Sequence, residues 1–310
     1  MRSPVTPGPT VQVALAAENI VGESAFWSVM TQQLFWVDGF ASEIHSWNPI
    51  SGHHRSVHVS SGPLGAIVGT QNPGVVGLID REGIGLFDLD RQIRVALAHP
   101  EGHREGIGYN DAKVDFNGRL WVGTYDTGET DPRGCLWVLE NGRMPQLAES
   151  GIAVVNGPTF SPDGRLMYLS DSMGRRILTF DVDHGSNPRR RRVLAQFSTE
   201  EGLPDGLTTD AEGCVWCAHW DGGCVTRFSP EGKRLAVIPL PTPRVTSLAF
   251  GGADFDTLFI TTARYGLTDA QIGEAPCAGS LFCVKPGVRG VAAALLQMPF
   301  GNATCAISRS

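Results

Sequence analysis

Four oxygen-bearing side chains stand at closely matched distances before apolar stretches of this 310-residue chain. Asn110, Asn156 and Asp205 each lie 10 residues before such a stretch, and Glu23 lies 11 residues before one. Equal offsets in a repeating fold indicate equal heights, so we expect two carboxylates and two amides to converge. Carboxylates brought together away from bulk water repel one another unless a cation lies between them. The spacing therefore predicts a site for one divalent metal ion.

The ligand types favour a hard cation and leave room for chemistry. Oxygen ligands without imidazole or thiolate suit Ca²⁺ best, while Mg²⁺, Mn²⁺, Zn²⁺ and Fe²⁺ stay open because a site with free positions accepts several ions. A cation held by few protein ligands keeps water, lowers the pKa of that water and polarises a carbonyl oxygen. Hydrolysis of an ester or lactone is a natural use, with Asp205 as the candidate general base. The alternative is that these residues only satisfy backbone donors in tight turns beside glycine.

Composition excludes several other classes of function. A formal net charge of -7 and 18% charged residues offer nothing that would draw nucleic acid or anionic lipid. No apolar run approaches the roughly 20 residues of a membrane span, and prolines and acidic residues interrupt the N-terminal stretch where a signal peptide would need an apolar segment. Seven scattered cysteines suit reduced thiols better than a disulfide framework. We therefore expect a cytoplasmic protein without nucleic-acid or membrane partners.

The elements that position these residues form a sixfold repeat of short strands. A pattern of aliphatic, two residues, apolar, polar recurs as "IHSWN", "IGLFD", "LWVLE", "ILTFD", "VTRFS" and "LFCVK", at spacings from 40 to 56 residues. A period of 40 to 50 residues with about four strands in each unit is typical of a β-propeller. We predict an all-β fold, one six-bladed propeller over residues 1–310 with the metal site at one end of its channel. Residues 1–10 are expected to be a flexible tail.

The first strand of each unit should line the central channel. These strands are "GESAFWS", "LGAIVGT", "NDAKVDFNG", "NGPTFSPDG", "PDGLTTDAEG" and "VTSLAFGGAD". Four of them carry the oxygen ligands, whereas units two and six offer only Leu64-Gly65 and Val245-Thr246 at the same height. One end of the channel should therefore hold the functional groups, as strand ends and loops usually do.

The combined motifs resemble the SMP-30/gluconolactonase/regucalcin family of six-bladed propellers. The resemblance rests on "GESAFW", "YNDAKVDFNGRLWVGTYD", "VVNGPTFSPDGRLMYLSDS" and "GLPDGLTTDAEGCVWCAHWDGG" and extends from about residue 21 to 282. It implies metal-dependent hydrolysis of a sugar-derived aldonolactone, with Glu23, Asn156 and Asp205 as metal ligands and Asn110 and Asp111 as substrate contacts. The segment "FITTARYGLTDAQIGEAPCAGSLF" is similar to bacterial xylono- and arabinonolactonases.

One departure from the family bears on the substrate. Many members carry arginine two residues before the blade-three asparagine, where this chain has Gly108. Arg104 or a loop residue is a candidate replacement, or the substrate differs. A phosphotriester hydrolase and a non-enzymatic Ca²⁺-binding propeller therefore stay open beside the lactonase, and the protein is expected to be a monomer or a small homo-oligomer.

Several other polar and reactive residues have simpler interpretations. Cys214 and Cys217 lie three apart in a predicted strand, so their thiols should point to opposite faces and pack rather than form one site. His219 is either a satisfied buried histidine or a support for the site. Asp171, Trp220 and Tyr125 share aligned positions and are candidate pocket walls, and the basic run from Arg189 to Arg192 predicts a solvated loop.

Overall fold

The computed structural model describes residues 9–60, 62–182 and 188–297 and contains 24 strands in six four-stranded sheets. Each sheet is one blade of a β-propeller, which confirms the predicted fold class. Most of the expected N-terminal tail, residues 1–8, lies outside the described residues. In the described ranges no helix is long and apolar enough to cross a membrane.

Blades one to five each use four consecutive antiparallel strands. Blade one consists of β2 (Gly22–Ser28), β3 (Gln33–Asp38), β4 (Glu43–Trp47) and β5 (His54–His58), and blade two of β6 (Leu64–Gly69), β7 (Val75–Asp80), β8 (Gly83–Asp88) and β9 (Ile93–Ala98). Blade three consists of β10 (Ile107–Val114), β11 (Leu120–Asp126), β12 (Gly134–Leu139) and β13 (Gln146–Ile152). Blade four consists of β14 (Val155–Phe160), β15 (Leu166–Asp171), β16 (Arg176–Asp181) and β17 (Arg189–Gln196), and blade five of β18 (Leu203–Thr209), β19 (Val215–Trp220), β20 (Cys224–Phe228) and β21 (Arg234–Pro239).

Blade six closes the ring with the N-terminal strand. It contains β22 (Val245–Gly251), β23 (Thr257–Thr262) and β24 (Leu281–Val284), and its outer strand is β1 (Gln12–Leu15), which pairs antiparallel with β24. In the part of the chain that the structure describes, two short helical segments lie in connections: a 3₁₀ turn at Thr199–Glu201 and α1 (Asp269–Glu274). Strand pairing between the two ends of the chain ties the first and last blades together, a closure typical of ring-shaped β folds.

Burial decreases from the channel to the rim of each blade. The first strands contact those of the neighbouring blades, and second strands such as β19, "VWCAHW", are buried on both faces because neighbouring blades cover them. Among the described residues the apolar core forms six clusters, one at each interface between adjacent blades. The outer strands face water. One of them, β17, contains the run from Arg189 to Arg192, so the prediction of a loop there was wrong although the run is exposed.

Candidate active site

A backbone irregularity at the same level of each inner strand positions the predicted site residues. The antiparallel register with the second strand shifts between Glu23 and Phe26, between Tyr109 and Ala112, between Asn156 and Thr159, and between Pro204 and Leu207. Such a bulge bends a strand and re-aims its side chains. Left-handed backbone follows two of the site residues, with φ of 54° at Ser24 and 47° at Gly157.

These bulges surround a cavity of about 770 Å³ at one end of the channel. Glu23, Asn110, Asn156 and Asp205 all line it, which brings together the four residues that the spacing predicted to converge. A second cavity, of about 70 Å³, lies near the other end of the channel and contains none of them. The functional groups therefore gather at one end.

Glu23 and Asp205 form an acidic pair on the cavity wall. Asp205 is 5% exposed, and its Oδ1 has no hydrogen-bond partner among the described residues. Burial, followed by the charge of Asp111, raises the pKa of Glu23 to about 8. Burial, followed by the charge of Glu23, raises the pKa of Asp205 well above its usual range. Two carboxylates held this way need a proton or a cation between them to be stable.

A chain of hydrogen bonds links the two site amides to the backbone beside Asp205. Asn110 Nδ2 donates to the Val155 carbonyl and to Asn156 Oδ1, both at 2.9 Å. Asn156 Nδ2 donates to Ser172 Oγ at 3.2 Å, and Ser172 Oγ donates to the Pro204 carbonyl at 2.7 Å. The amide of Asn156 is thereby oriented from both sides.

The residues present fit a divalent cation. The carboxylates of Glu23 and Asp205 and the amide oxygen of Asn156 provide hard ligands on three different blades, and Asp205 Oδ1 has no hydrogen-bond partner in the described ranges. In the described ranges no three or more His, Cys, Asp or Glu side chains cluster as a metal site. The predicted set is not such a cluster, because its third member, Asn156, is an amide. Buried, like-charged groups around an orphaned oxygen are the arrangement that a bound cation would stabilise.

Asp111 occupies a different position from the other predicted residues. It is 3% exposed and is not among the residues that line the large cavity. Its Oδ1 accepts the Ala112 N–H at 2.8 Å, and its Oδ2 accepts the Gly157 N–H at 3.0 Å. This carboxylate therefore holds the left-handed residue that follows Asn156. Its predicted contact with substrate stays a prediction that this geometry does not favour.

The position of the missing family arginine is filled from a neighbouring strand. A Cβ at Gly108 would lie 2.3 Å from Cε1 of Tyr125, so the tyrosine ring takes the space of a side chain there. Arg104 is the candidate replacement that the sequence suggested. Its Nη1 lies 3.4 Å from Glu101 Oε2 and donates to the Arg133 carbonyl. It does not line the cavity. Arg81 and Arg244, which the sequence did not single out, do line it.

The remaining candidates divide between cavity wall and core. Tyr125 and Trp220 line the cavity as predicted, whereas Asp171 does not; it accepts hydrogen bonds from Arg176 and from the Gly174 N–H, so its prediction as a wall was wrong. His219 is 1% exposed and lies within hydrogen-bonding distance of the Glu201 carbonyl and the Thr226 hydroxyl. Of the two alternatives for His219, the structure therefore favours a buried histidine whose two ring nitrogens both have hydrogen-bond partners.

The cysteine pair takes no part in the site. Cys214 and Cys217 are buried free thiols, and Cys214 lies one residue before β19 rather than inside it. Both pack in the interior, as predicted. Asp210 closes the turn between β18 and β19, because its carboxylate accepts the N–H groups of Glu212 and Cys214.

Comparison with known proteins identifies the family of the chain. The family model described as SMP-30/Gluconolactonase/LRE-like region matches residues 21–264. The chain belongs to this family. Among its relatives, a 6-deoxy-6-sulfogluconolactonase from Pseudomonas putida is 33% identical over 284 residues, covering 91% of this chain and 97% of the relative. The pentonolactonase XacC from Haloferax volcanii is 30% identical over 278 residues, covering 87% and 92%.

Solved structures show the same propeller for SMP-30/gluconolactonase family members. A structure described as a calcium-binding protein, regucalcin, from Agrobacterium tumefaciens superimposes with a TM-score of 0.87 at 24% identity. The alignment covers 94% of this chain and 97% of that one. At this identity the likeness establishes the fold of the chain and leaves its ligands to be argued from its own residues.

Proposed function

We propose that this protein is a metal-dependent lactonase that hydrolyses a sugar-derived aldonolactone to the aldonic acid. The observation that carries the proposal is the buried pair of Glu23 and Asp205 on the wall of a cavity large enough for a sugar, where Asp205 Oδ1 has no hydrogen-bond partner among the residues that the structure describes. The lactonase names of the two relatives support the reaction type. A bound sugar lactone is accordingly the expected small-molecule partner.

Glu23, Asn156 and Asp205 would hold the divalent cation, and Ca²⁺ fits their hard oxygens best. Such a cation supplies Lewis acidity, which polarises the lactone carbonyl and stabilises negative charge on its oxygen. Ligand type does not by itself decide which ion is used, since availability matters as much as affinity.

The protein's own groups supply proton transfer and orientation. Asp205 would act as general base and accept a proton from the attacking water, a role that suits a carboxylate 5% exposed on the cavity wall. The proton then passes to the ring oxygen as the ester bond breaks, so Asp205 returns to its starting state. Asn110 Nδ2 donates both of its hydrogen bonds within the protein, which leaves Asn110 Oδ1 to accept a hydrogen bond from a sugar hydroxyl.

The walls of the cavity shape its contents. Tyr125, Trp220, Leu64 and Tyr265 line it with aromatic and aliphatic surface, which removes water from around the polar groups. Loss of water strengthens each electrostatic contact with a lactone. A flat sugar ring against such walls is therefore held by packing as well as by hydrogen bonds.

The first experiment is lactone opening by protein stripped of metal and reloaded with single ions. Acid release is followed for glucono-, xylono-, arabinono- and galactonolactones with Ca²⁺, Mg²⁺, Mn²⁺, Zn²⁺ or anaerobic Fe²⁺, and the spontaneous rate of each lactone is subtracted. We expect turnover that one or more ions restore, with Asp205→Asn lowering kcat by about 10²- to 10⁴-fold. Asp254→Asn is the matched control, because that carboxylate is exposed in the turn between β22 and β23, at the other end of the blade.

Three outcomes would contradict the proposal. Turnover that survives removal of every ion would exclude the metal, and equal loss in both variants would exclude a specific role for Asp205. If no lactone is opened by the folded, reloaded protein, the alternatives of a phosphotriester hydrolase or a Ca²⁺-binding propeller take its place. Calorimetric titration with Ca²⁺ and a panel of phosphotriesters then separates those two.

A further inference from the structure

Arg244 presents a fixed guanidinium group to the large cavity. Its Nε donates to Asp221 Oδ1 at 2.8 Å, and its Cζ lies 4.7 Å from the centroid of the Trp220 ring. The side chain is 15% exposed. An ion pair on one edge and an aromatic ring on one face restrict a planar guanidinium to a narrow range of orientations.

The loop that follows β23 leaves room for this group. A Cβ at Gly266 would lie 2.6 Å from Arg244 Nη1, and Gly266 has φ of +67°, a conformation that favours glycine. Gly266 also lines the cavity. The two Nη groups make no hydrogen bond to any residue in the described ranges, so they remain available to a ligand.

The location of Arg244 differs from that of the family arginine. It lies one residue before β22 on blade six, whereas the family arginine would stand at Gly108 on blade three, where Tyr125 now fills the space. Val245 stands at the height of the predicted metal ligands in the repeat, so Arg244 lies one step along the chain before that level. It therefore stands on the cavity wall beside the predicted metal ligands rather than among them.

We propose that Arg244 binds an oxyanion substituent of the lactone, a sulfonate, phosphate or carboxylate carried outside the ring. This inference rests on the proposed lactonase function and extends it to the substrate class. Two Nη groups in one plane can donate to two oxygens of an oxyanion at once, a match that a single neutral hydroxyl cannot make.

The charges around Arg244 are compatible with an anionic ligand. Its partner Asp221 is 51% exposed, so water screens that carboxylate and it does not cancel the guanidinium on the cavity side. Arg81, 70% exposed, adds a second positive charge to the cavity wall. Three acidic residues line the cavity: Glu23 and Asp205 are assigned to the cation, which would neutralise them, and Glu129 is exposed, so water screens its charge.

The test compares charged and neutral lactones with the metal-loaded enzyme. The substrates are glucono-1,5-lactone and its 6-phospho and 6-sulfo derivatives, so that the two arms separate phosphate from sulfonate. We expect the wild type to favour at least one charged lactone, and Arg244→Gln to reduce that preference in kcat/KM by about 10- to 100-fold, chiefly through KM. Arg244→Lys should restore part of it, because an ammonium keeps the charge and loses the paired donors.

Arg104→Gln is the matched control, since the Arg104 guanidinium interacts with Glu101 and the Arg133 carbonyl and does not line the cavity. The preference of the Arg104→Gln variant for charged over neutral lactones, measured as kcat/KM, should equal that of the wild type. Calorimetric titration with the stable products gluconate and 6-phosphogluconate gives a second measurement that does not depend on turnover.

The outcomes separate this inference from the proposed function. A wild-type enzyme that opens neutral lactones as well as charged ones, or an Arg244→Gln variant that loses both equally, would overturn the anionic subsite and leave the lactonase intact. If no lactone is opened, the lactonase proposal fails. The titration with 6-phosphogluconate then still tests whether Arg244 binds an oxyanion. Equal affinity of wild type and Arg244→Gln for 6-phosphogluconate would then overturn the role of Arg244 as well.

Discussion

The ring of Tyr125 occupies the space that any side chain at Gly108 would need. A Cβ on Gly108 would meet Cε1, Cζ and Oη of that ring at 2.3, 2.6 and 2.9 Å. The two positions are neighbours in the antiparallel pair of β10 and β11. The tyrosine at 125 therefore requires glycine at 108, and its aromatic ring takes the place that a long side chain at 108 would fill.

This relationship predicts a non-additive pair of substitutions. Gly108→Arg should destabilise the protein by about 1–3 kcal/mol because the ring must move. Combined with Tyr125→Ala, which removes the ring, the same arginine should cost much less, giving a coupling energy of about 1 kcal/mol or more. Urea unfolding of the four proteins measures it. Gly273→Arg is the control, since a Cβ there meets nothing within 4 Å, and equal costs of Gly108→Arg with and without the tyrosine would contradict the argument.

The hydrogen bonds of Ser172 predict a residue that supports metal binding without touching the ion. Its hydroxyl accepts from Asn156 Nδ2 and donates to the Pro204 carbonyl, so it fixes the amide and the backbone beside Asp205. We expect Ser172→Ala to weaken metal affinity about 10-fold or more, as loss of outer contacts to metal ligands commonly does. Calorimetric titration with Ca²⁺ measures the affinity, and kcat at saturating metal should recover most of the wild-type value.

Two further variants make that result interpretable. Ser172→Thr keeps a hydroxyl at the position and should retain more of the affinity than alanine. Ser161→Ala removes a hydroxyl that bonds Asp163 in the turn after β14, remote from the cavity, and should leave the affinity unchanged. A Ser172→Ala protein with wild-type affinity would show that Asn156 is held in place by Asn110 alone.

Substitution of Asp210 should lower the stability of the fold without acting on the site. Asp210 is fully buried, and its Oδ2 accepts from Trp216 Nε1 and Arg227 Nε at 2.9 and 2.8 Å. Asp210→Ala leaves the Trp216 Nε1 donor and the Arg227 Nε donor without this acceptor, while Arg227 keeps Glu212 as a second partner, and should cost about 1–3 kcal/mol of unfolding free energy. Asp163→Ala, in an exposed turn, should cost far less. Thermal unfolding of both variants compares them, and a similar loss in each would contradict the assignment.

Much of the fold could be predicted from the sequence because each blade repeats a local pattern. The inner strands and the second strands, such as β11 from Leu120 and β19 from Val215, begin where the alternation of apolar residues and the glycine turns placed them. The pairing of β1 with β24 could not be predicted in this way, because it joins residues about 270 positions apart and leaves no local signal.

The convergence of four polar residues at one cavity could be predicted, but their individual contacts could not. Equal offsets identified Glu23, Asn110, Asn156 and Asp205 because all four inner strands bulge at one level. Asp111 follows immediately after Asn110, and adjacent residues in a strand point to opposite sides. Arg244 escaped notice since it stands outside the repeating strand, and only its packing on Trp220 and Gly266 places it at the cavity.

The acidic pair predicts that the metal-free protein loses stability as the pH rises. The pKa of Glu23 is about 8 in the folded protein against 4.5 ordinarily, so the folded state keeps a proton that the unfolded chain releases. The stability that this proton provides is complete below pH 4.5 and is lost as the pH rises toward 8. Buried histidines act in the opposite direction: burial lowers the pKa of His45 to about 4, so its contribution increases with pH only up to about 6.5.

The window between pH 6.5 and 8 therefore isolates the carboxylates. Across it, the metal-free protein should lose up to about 2 kcal/mol, and Glu23→Gln should flatten that loss because it cannot ionise. Added Ca²⁺ should reverse the slope, since the cation binds the ionised pair. Differential scanning fluorimetry of chelator-treated protein at several pH values makes the measurement, with Glu274→Gln, exposed at the end of α1, as the control. A slope that is the same in wild type and Glu23→Gln would mean that the two carboxylates are not held in one electrostatic unit, and the case for a cation between them would fail with it.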